Sequence, residues 1–215
     1  MGEKDFKFFT SSELVFLTGR MAKNLSELRE GVKVSSDSTI FYHTHRFLIQ
    51  HQYISPEPPN DFAYWVSNIL LERLVGEKLA AIDLIEFKTI PEIRNRIIKV
   101  LEENVETKSP RTCPQGMEFH FMYSHIFVID TGKRASNLKE FVEILRVIPL
   151  RSVYYHMFQS RLMLGRGEND FSIWIKESLG EDKLANEISR IDPYTYTLEG
   201  LRNKLIRLIL EYNHG

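Results

Sequence analysis

The chain is poor in the residues that announce a chemistry. Of 215 residues only Cys113 is a cysteine, which excludes an intramolecular disulfide framework and any CxxC zinc or redox motif. No apolar run approaches the roughly 20 residues that cross a bilayer. The opening MGEKDFKFF has acidic residues where a secretory signal needs an apolar core, and Phe6 stands where N-myristoylation needs Ser or Thr. There is no excess of charge of either sign: Lys and Arg total 28 against 29 Asp and Glu, a net charge of −1. Without a basic field there is little counterion-release energy to gain from a phosphate backbone, so no nucleic-acid partner is expected, and without a spanning apolar run no membrane is expected either. The expectation is a cytoplasmic, soluble protein. What the chain does have is core material, 43% hydrophobic and 12% aromatic residues, ample for burial on this scale.

It also resembles itself. TGRMAKNLSEL (Thr18 to Leu28) returns as TGKRASNLKEF (Thr131 to Phe141), and from Phe6/Phe119 to His43/His156 the register holds without a gap, 14 of 38 positions being identical. NDFAYWV (Asn60 to Val66) returns as NDFSIWI (Asn169 to Ile175), which makes the two tryptophans, Trp65 and Trp174, equivalent. EKLA matches DKLA, and IRNRII matches LRNKLI. The division expected is repeat 1 over 1–105, a linker over 106–118 and repeat 2 over 119–215.

The apolar spacing predicts a mainly α fold, two homologous helical repeats about a pseudo-twofold axis, with at most a short strand opening each. IFVIDTG (Ile126 to Gly132) reads as that strand, whereas its counterpart SELVFLTG reads equally as a short helix capped by Ser11 or Ser12. Helices are expected over Asn24 to Lys33 and Ser38 to Gln52. SPEPPN breaks the chain, and Asn60 caps a helix with Phe62, Trp65, Val66 and Ile69 on one stripe. Gly76 or Gly180 precedes a fourth helix. Thr89 and Glu92 form a capping box for a fifth, a box that Gly200 leaves incomplete after Thr197.

Two patterns invite catalytic readings. His43-Thr44-His45 has the HxH spacing that binds a metal from a strand, but on a helix residues two apart diverge by about 200°, and the second copy has Phe158 where His45 stands. No metal site is assigned. Asp130-Thr131-Gly132 has the triplet of an aspartic protease, which needs one carboxylate per lobe; the counterpart is Leu17-Thr18-Gly19, so the dyad cannot form, and Thr-Gly marks a tight turn instead. The recurring Asn-Asp-Phe-x-x-Trp has a structural reading, with Asn as cap, Asp at the positive helix end and buried rings. A sharper reading pairs Asp61 with His43 and Asp170 with His156. Tyr42, His43, Asp61 and Trp65, with Tyr155, His156, Asp170 and Trp174, would then form two polar clusters beside aromatic rings, suited to a sugar-like ligand.

TGRMAKNLSEL, YHTHRF, NDFAYWV, LAAID and IRN together resemble an uncharacterised prokaryotic family catalogued as a domain of unknown function, over nearly the whole chain. The resemblance implies a mainly helical protein in a carbohydrate-metabolism setting, since some members are linked to glycosyltransferase or trehalose-synthase-like proteins. It supplies no catalytic residue. With no phosphate-binding glycine loop and no nucleophile–base spacing, the expected function is a non-enzymatic accessory or regulatory module without a cofactor. Its partner would be a protein or a sugar-like small molecule, and repeated aromatics also suit assembly into a homo-oligomer. The alternative is a small hydrolase or lyase whose His43 or His156 acts as base, oriented by Asp61 or Asp170.

Overall fold

The computed structural model describes residues 5–50, 60–104 and 111–214. The fold is α/β. Two strands, β1 (Phe6–Ala22) and β2 (Phe119–Ala135), are seventeen residues long each and pair antiparallel in a two-stranded sheet. After β1 come α1 (Leu25–Val34), α2 (Asp37–His45), α3 (Phe47–Gln50), α4 (Asp61–Asn68), α5 (Arg73–Ala80) and α6 (Ile90–Glu102). After β2 come α7 (Leu138–Leu145), α8 (Leu150–Tyr154), a π-helical turn at Tyr155–Gln159, α9 (Ser160–Met163), α10 (Asp170–Leu179), α11 (Asp182–Ser189) and α12 (Leu198–His214). SPEPP (55–59) and His51 lie outside the described residues, as do residues 106–110 of the expected linker.

Local chemistry sets most helix starts. The Asn24 side chain accepts from Glu27 N at 2.9 Å while the Glu27 carboxylate accepts from Lys23 N at 2.9 Å, so each satisfies a main-chain donor that the first turn leaves orphaned. Asn137 and Glu140 do the same for α7. Asn60 and Asn169 cap α4 and α10, and Thr89 with Glu92 completes the box of α6. At α12 Thr197 accepts from Gly200 N, and glycine has no carboxylate to return the bond.

The expectation of a mainly α protein with two helical repeats about a pseudo-twofold axis is corrected on three points. The strand content is not marginal, because SELVFLTG is not a capped helix but the middle of β1, and IFVIDTG is part of a strand that begins seven residues earlier. Gly76 does not precede a helix; it lies within α5, where a Cβ would sit 1.8 Å from Ser67 Oγ. Self-contained helical repeats are not evident. Among the described residues one compact unit holds 5–12 and 126–214, and the other holds 13–50, 60–104 and 111–125, so each draws on both sequence halves. They are named below for the histidine each contains.

The reason is aromatic. Phe6 and Phe8 of β1 have ring centroids within 5.4 Å of Phe141 of α7, and Phe6 also lies 5.4 Å from Phe171 and Trp174 of α10. These rings form the core of the His156 unit. In the His43 unit Phe119 of β2 stacks on Phe62 at 5.2 Å and meets the edge of Trp65 at 5.7 Å. Phe121 presses against α1 where Gly31 has no side chain; a Cβ there would come within 2.1 Å of the ring. Burying rings of this size outweighs the entropy of closing a chain loop of more than a hundred residues, because that entropy grows only with the logarithm of loop length.

Candidate functional site

The eight residues singled out in the sequence fall into two clusters, one in each unit. In the His43 unit, α2 carries Tyr42 and His43, and the first turn of α4 presents Asp61. His43 Nδ1 lies 2.8 Å from Asp61 Oδ2. In the His156 unit, the π-helical turn carries Tyr155 and His156, α10 presents Asp170, and His156 Nδ1 lies 2.8 Å from Asp170 Oδ2. Each Asp follows an Asn cap, so the same turn fixes its place and favours its charge. The Asp–His pairings expected from the recurring motif are therefore present.

The second nitrogen of each ring identifies the arrangement. Met122 N of β2 donates to His43 Nε2 at 3.0 Å, and Phe9 N of β1 donates to His156 Nε2 at 2.9 Å. A main-chain N–H can only donate, so Nε2 must hold the lone pair and Nδ1 the proton, which it gives to the carboxylate. Both ring nitrogens are then satisfied, and both imidazoles are buried, with 3% and 2% of their side-chain surface exposed. A general base needs an unengaged lone pair within reach of substrate; here that lone pair fastens a strand. Each His is a clamp that takes an N–H from an edge strand and passes the polarity through the ring to a carboxylate at the rim. Serines reinforce both clamps: Ser38 Oγ donates to Ser124 O and accepts from Ser124 N, and Ser152 Oγ donates to Phe9 O.

The surroundings of the two pairs differ. Asp170 also accepts from Ser160 Oγ at 2.7 Å and from Arg166 Nη1 at 3.2 Å. Burial holds the His156 imidazolium pKa below its usual value, with the Asp170 hydrogen bond opposing it. Tyr42 and Tyr155 have raised phenol pKa values, burial being the main cause in both. Tyr42 accepts from Arg46, whose guanidinium lies 4.9 Å from the ring centroid. Trp65 donates its indole N–H to Met117 O at 2.7 Å, and Trp174 stacks on Phe141. Both tryptophans belong to the aromatic cores.

His45 does not share the partners of His43. It stacks on Phe41 at 4.5 Å and lies 2.7 Å from Thr44 Oγ1. Among the described residues no cluster of three or more His, Cys, Asp or Glu is placed to hold a metal ion. Asp130 accepts from Gly132 N and from Arg134, whose side-chain hydrogen bond does most to hold the carboxyl at about 2. The Thr-Gly dipeptides do not end their strands. Gly19 and Gly132 adopt φ of 78° and 72° inside β1 and β2, the mark of a bulge. Thr18 and Thr131 hydroxyls bridge there to Phe121 O and Phe8 O.

One surface feature escaped the residue-by-residue reading. Every residue from Leu14 to Met21 of β1 is exposed, including Leu14, Val15, Phe16 and, at 64%, Leu17. The signal is four consecutive apolar residues within SELVFLTG, a segment that reads equally as a short helix capped by Ser11 or Ser12. Phe127, Val128 and Ile129 of β2 are also exposed.

No curated protein matches the chain. Among solved structures it is similar to OrfY from Thermoproteus tenax, at 30% identity with a TM-score of 0.86, over 98% of this chain and 96% of that one. The family model that matches residues 3–210 is that of DUF5752, a family of unknown function, and the chain belongs to that family.

Proposed function

We propose that the protein is a non-enzymatic accessory module that recognises a protein partner through the exposed edge of β1. The observation that carries this reading is the run Leu14-Val15-Phe16-Leu17. Successive residues of a strand point to opposite faces, so these four exposed side chains put apolar surface on both faces of the strand, even though Phe16 also stacks on Tyr123 of β2 at 5.4 Å. In a two-stranded sheet β1 is also an edge, with main-chain groups directed outward. Monomeric proteins blunt such edges with charge, proline or a covering loop, and an uncovered one is the substrate of strand addition.

The other readings draw less support. A hydrolase or lyase needs a lone pair that His43 and His156 have committed to Met122 and Phe9. A sugar site needs exposed rings, while Tyr42, His43, His156, Trp65 and Trp174 are buried. The carbohydrate-metabolism setting implied by the sequence resemblance is where a protein partner would be sought.

The test uses the full chain as bait in host lysate, wild type beside Phe16→Lys. The captured protein is then purified and hydrogen exchange is followed over residues 14–21. Capture by wild type, loss in the variant and slowed exchange across this stretch are expected. A partner that Phe16→Lys retains, or protection confined to another surface, overturns the reading.

A further inference from the structure

We infer that β1 pairs with β1 of a second copy of this chain, antiparallel and centred on Phe16. This rests on the strand-edge reading above and names its partner. The run is complementary to itself. Antiparallel pairing about Phe16 sets Val15 opposite Leu17 and Leu14 opposite Thr18, so apolar side chains meet across both faces. The bulge at Gly19, with its φ of 78°, takes one residue out of the pleat. Arg20 then falls opposite Glu13 of the other copy. The Glu13 carboxylate already acts on Tyr42 of its own chain, so the guanidinium of the other copy adds to contacts that it makes, and a slip of register would move the two apart.

β2 shows what an edge built against pairing looks like. Its exposed run Phe127-Val128-Ile129 is followed by Asp130, held by Arg134, and a charge on an edge strand opposes strand addition. The position in β1 that matches Asp130 in sequence is Leu17, the most exposed member of its run. The area also suits a dimer. Leu14, Val15, Phe16, Leu17 and Met21 are 38–64% exposed, which amounts to roughly 400 Å² of apolar surface per copy at the size of such side chains. A standard interface takes about 800 Å² from each partner, a little over half of it apolar.

Sedimentation velocity on the full chain, with circular dichroism to confirm folding, tests the pairing. The wild type is expected at twice the 25.3 kDa of one chain. Phe16→Lys and Leu17→Asp should each raise the dimer dissociation constant by about 100-fold or more. Glu13→Arg and Arg20→Glu should each weaken it about 10-fold, and the double exchange should recover most of the loss. A wild type that stays at 25.3 kDa up to the order of 100 μM overturns self-pairing. It leaves capture of a different protein through Phe16 standing, so the two readings fail separately. A dimer that survives both Phe16→Lys and Leu17→Asp overturns it as well, because its interface then lies elsewhere.

Discussion

The His43 and His156 clamps are built from the same parts at the same 2.8 Å separation, yet they sit in different electrostatic company. Asp61 is 48% exposed and, among the described residues, has His43 as its hydrogen-bond partner. Asp170 is 13% exposed and gathers Ser160 and Arg166 besides His156. Separation alone therefore says little about the strength of an ion–dipole contact. Water screens the first carboxylate, and protein donors replace water around the second, where each bond is made in a lower dielectric and its loss leaves more unsatisfied. The π-helical turn belongs to the same difference. It widens the backbone at Tyr155–Gln159 just before Ser160 reaches Asp170, whereas α2 remains regular through His43.

Removing the carboxylates should separate the two clamps most. Asp170→Ala is expected to cost about 3 kcal/mol in urea unfolding and Asp61→Ala about 2 kcal/mol: each strands a buried His N–H, and the first also takes the acceptor from Ser160 and Arg166. Equal losses would mean that the extra donors contribute nothing. A second contrast lies in the backbone. Leu71 holds φ of 59° at the position matched in sequence by Gly180, whose φ is 74°. Leu71→Gly should stabilise by about 1 kcal/mol and Gly180→Leu should destabilise by a similar amount or more, since only one of the two residues has a Cβ to strain.

Acid should act through His156. Its pKa is lowered in the folded protein, so as pH drops below about 6.5 the unfolded chain binds the proton first. Stability is then full above that pH and declines towards the folded-state pKa, by at most about 1.4 kcal/mol per pH unit for one proton. His156→Gln should remove that part of the slope in melting temperature measured between pH 7 and 5. The smallest effect expected is at the caps. Thr89→Ala should cost about 1 kcal/mol and Thr197→Ala less, as only Thr89 has a glutamate completing the box.

What could be read from the chain was short-range chemistry. Asn60, Asn24 and Thr89 declared their helices because a cap acts within three residues, and Asp61 and Asp170 were matched to the right histidines because both pairs recur. The strands were harder. SELVFLTG lacks the polar–apolar alternation of a half-buried strand, since both of its faces are exposed, and its leading serines imitate a helix cap. The acceptor role of His43 and His156 was illegible for another reason: their donors are main-chain groups, which leave no trace in residue identity. That Phe6 belongs with Phe141, Phe171 and Trp174 is a contact across more than 130 positions, beyond the reach of any periodicity.

The division of each strand between two cores sets an order of assembly during synthesis. The His43 unit has all its described parts once residue 125 has emerged from the ribosome, but Phe6 and Phe8, made earlier, have each other and none of the other rings of their own core until α7 and α10 appear. At about 5–20 residues per second that interval is on the order of ten seconds or more. During it the nascent chain displays two phenylalanines on the first residues of β1, which makes that stretch a natural target for a chaperone and leaves it waiting for the rest of its core.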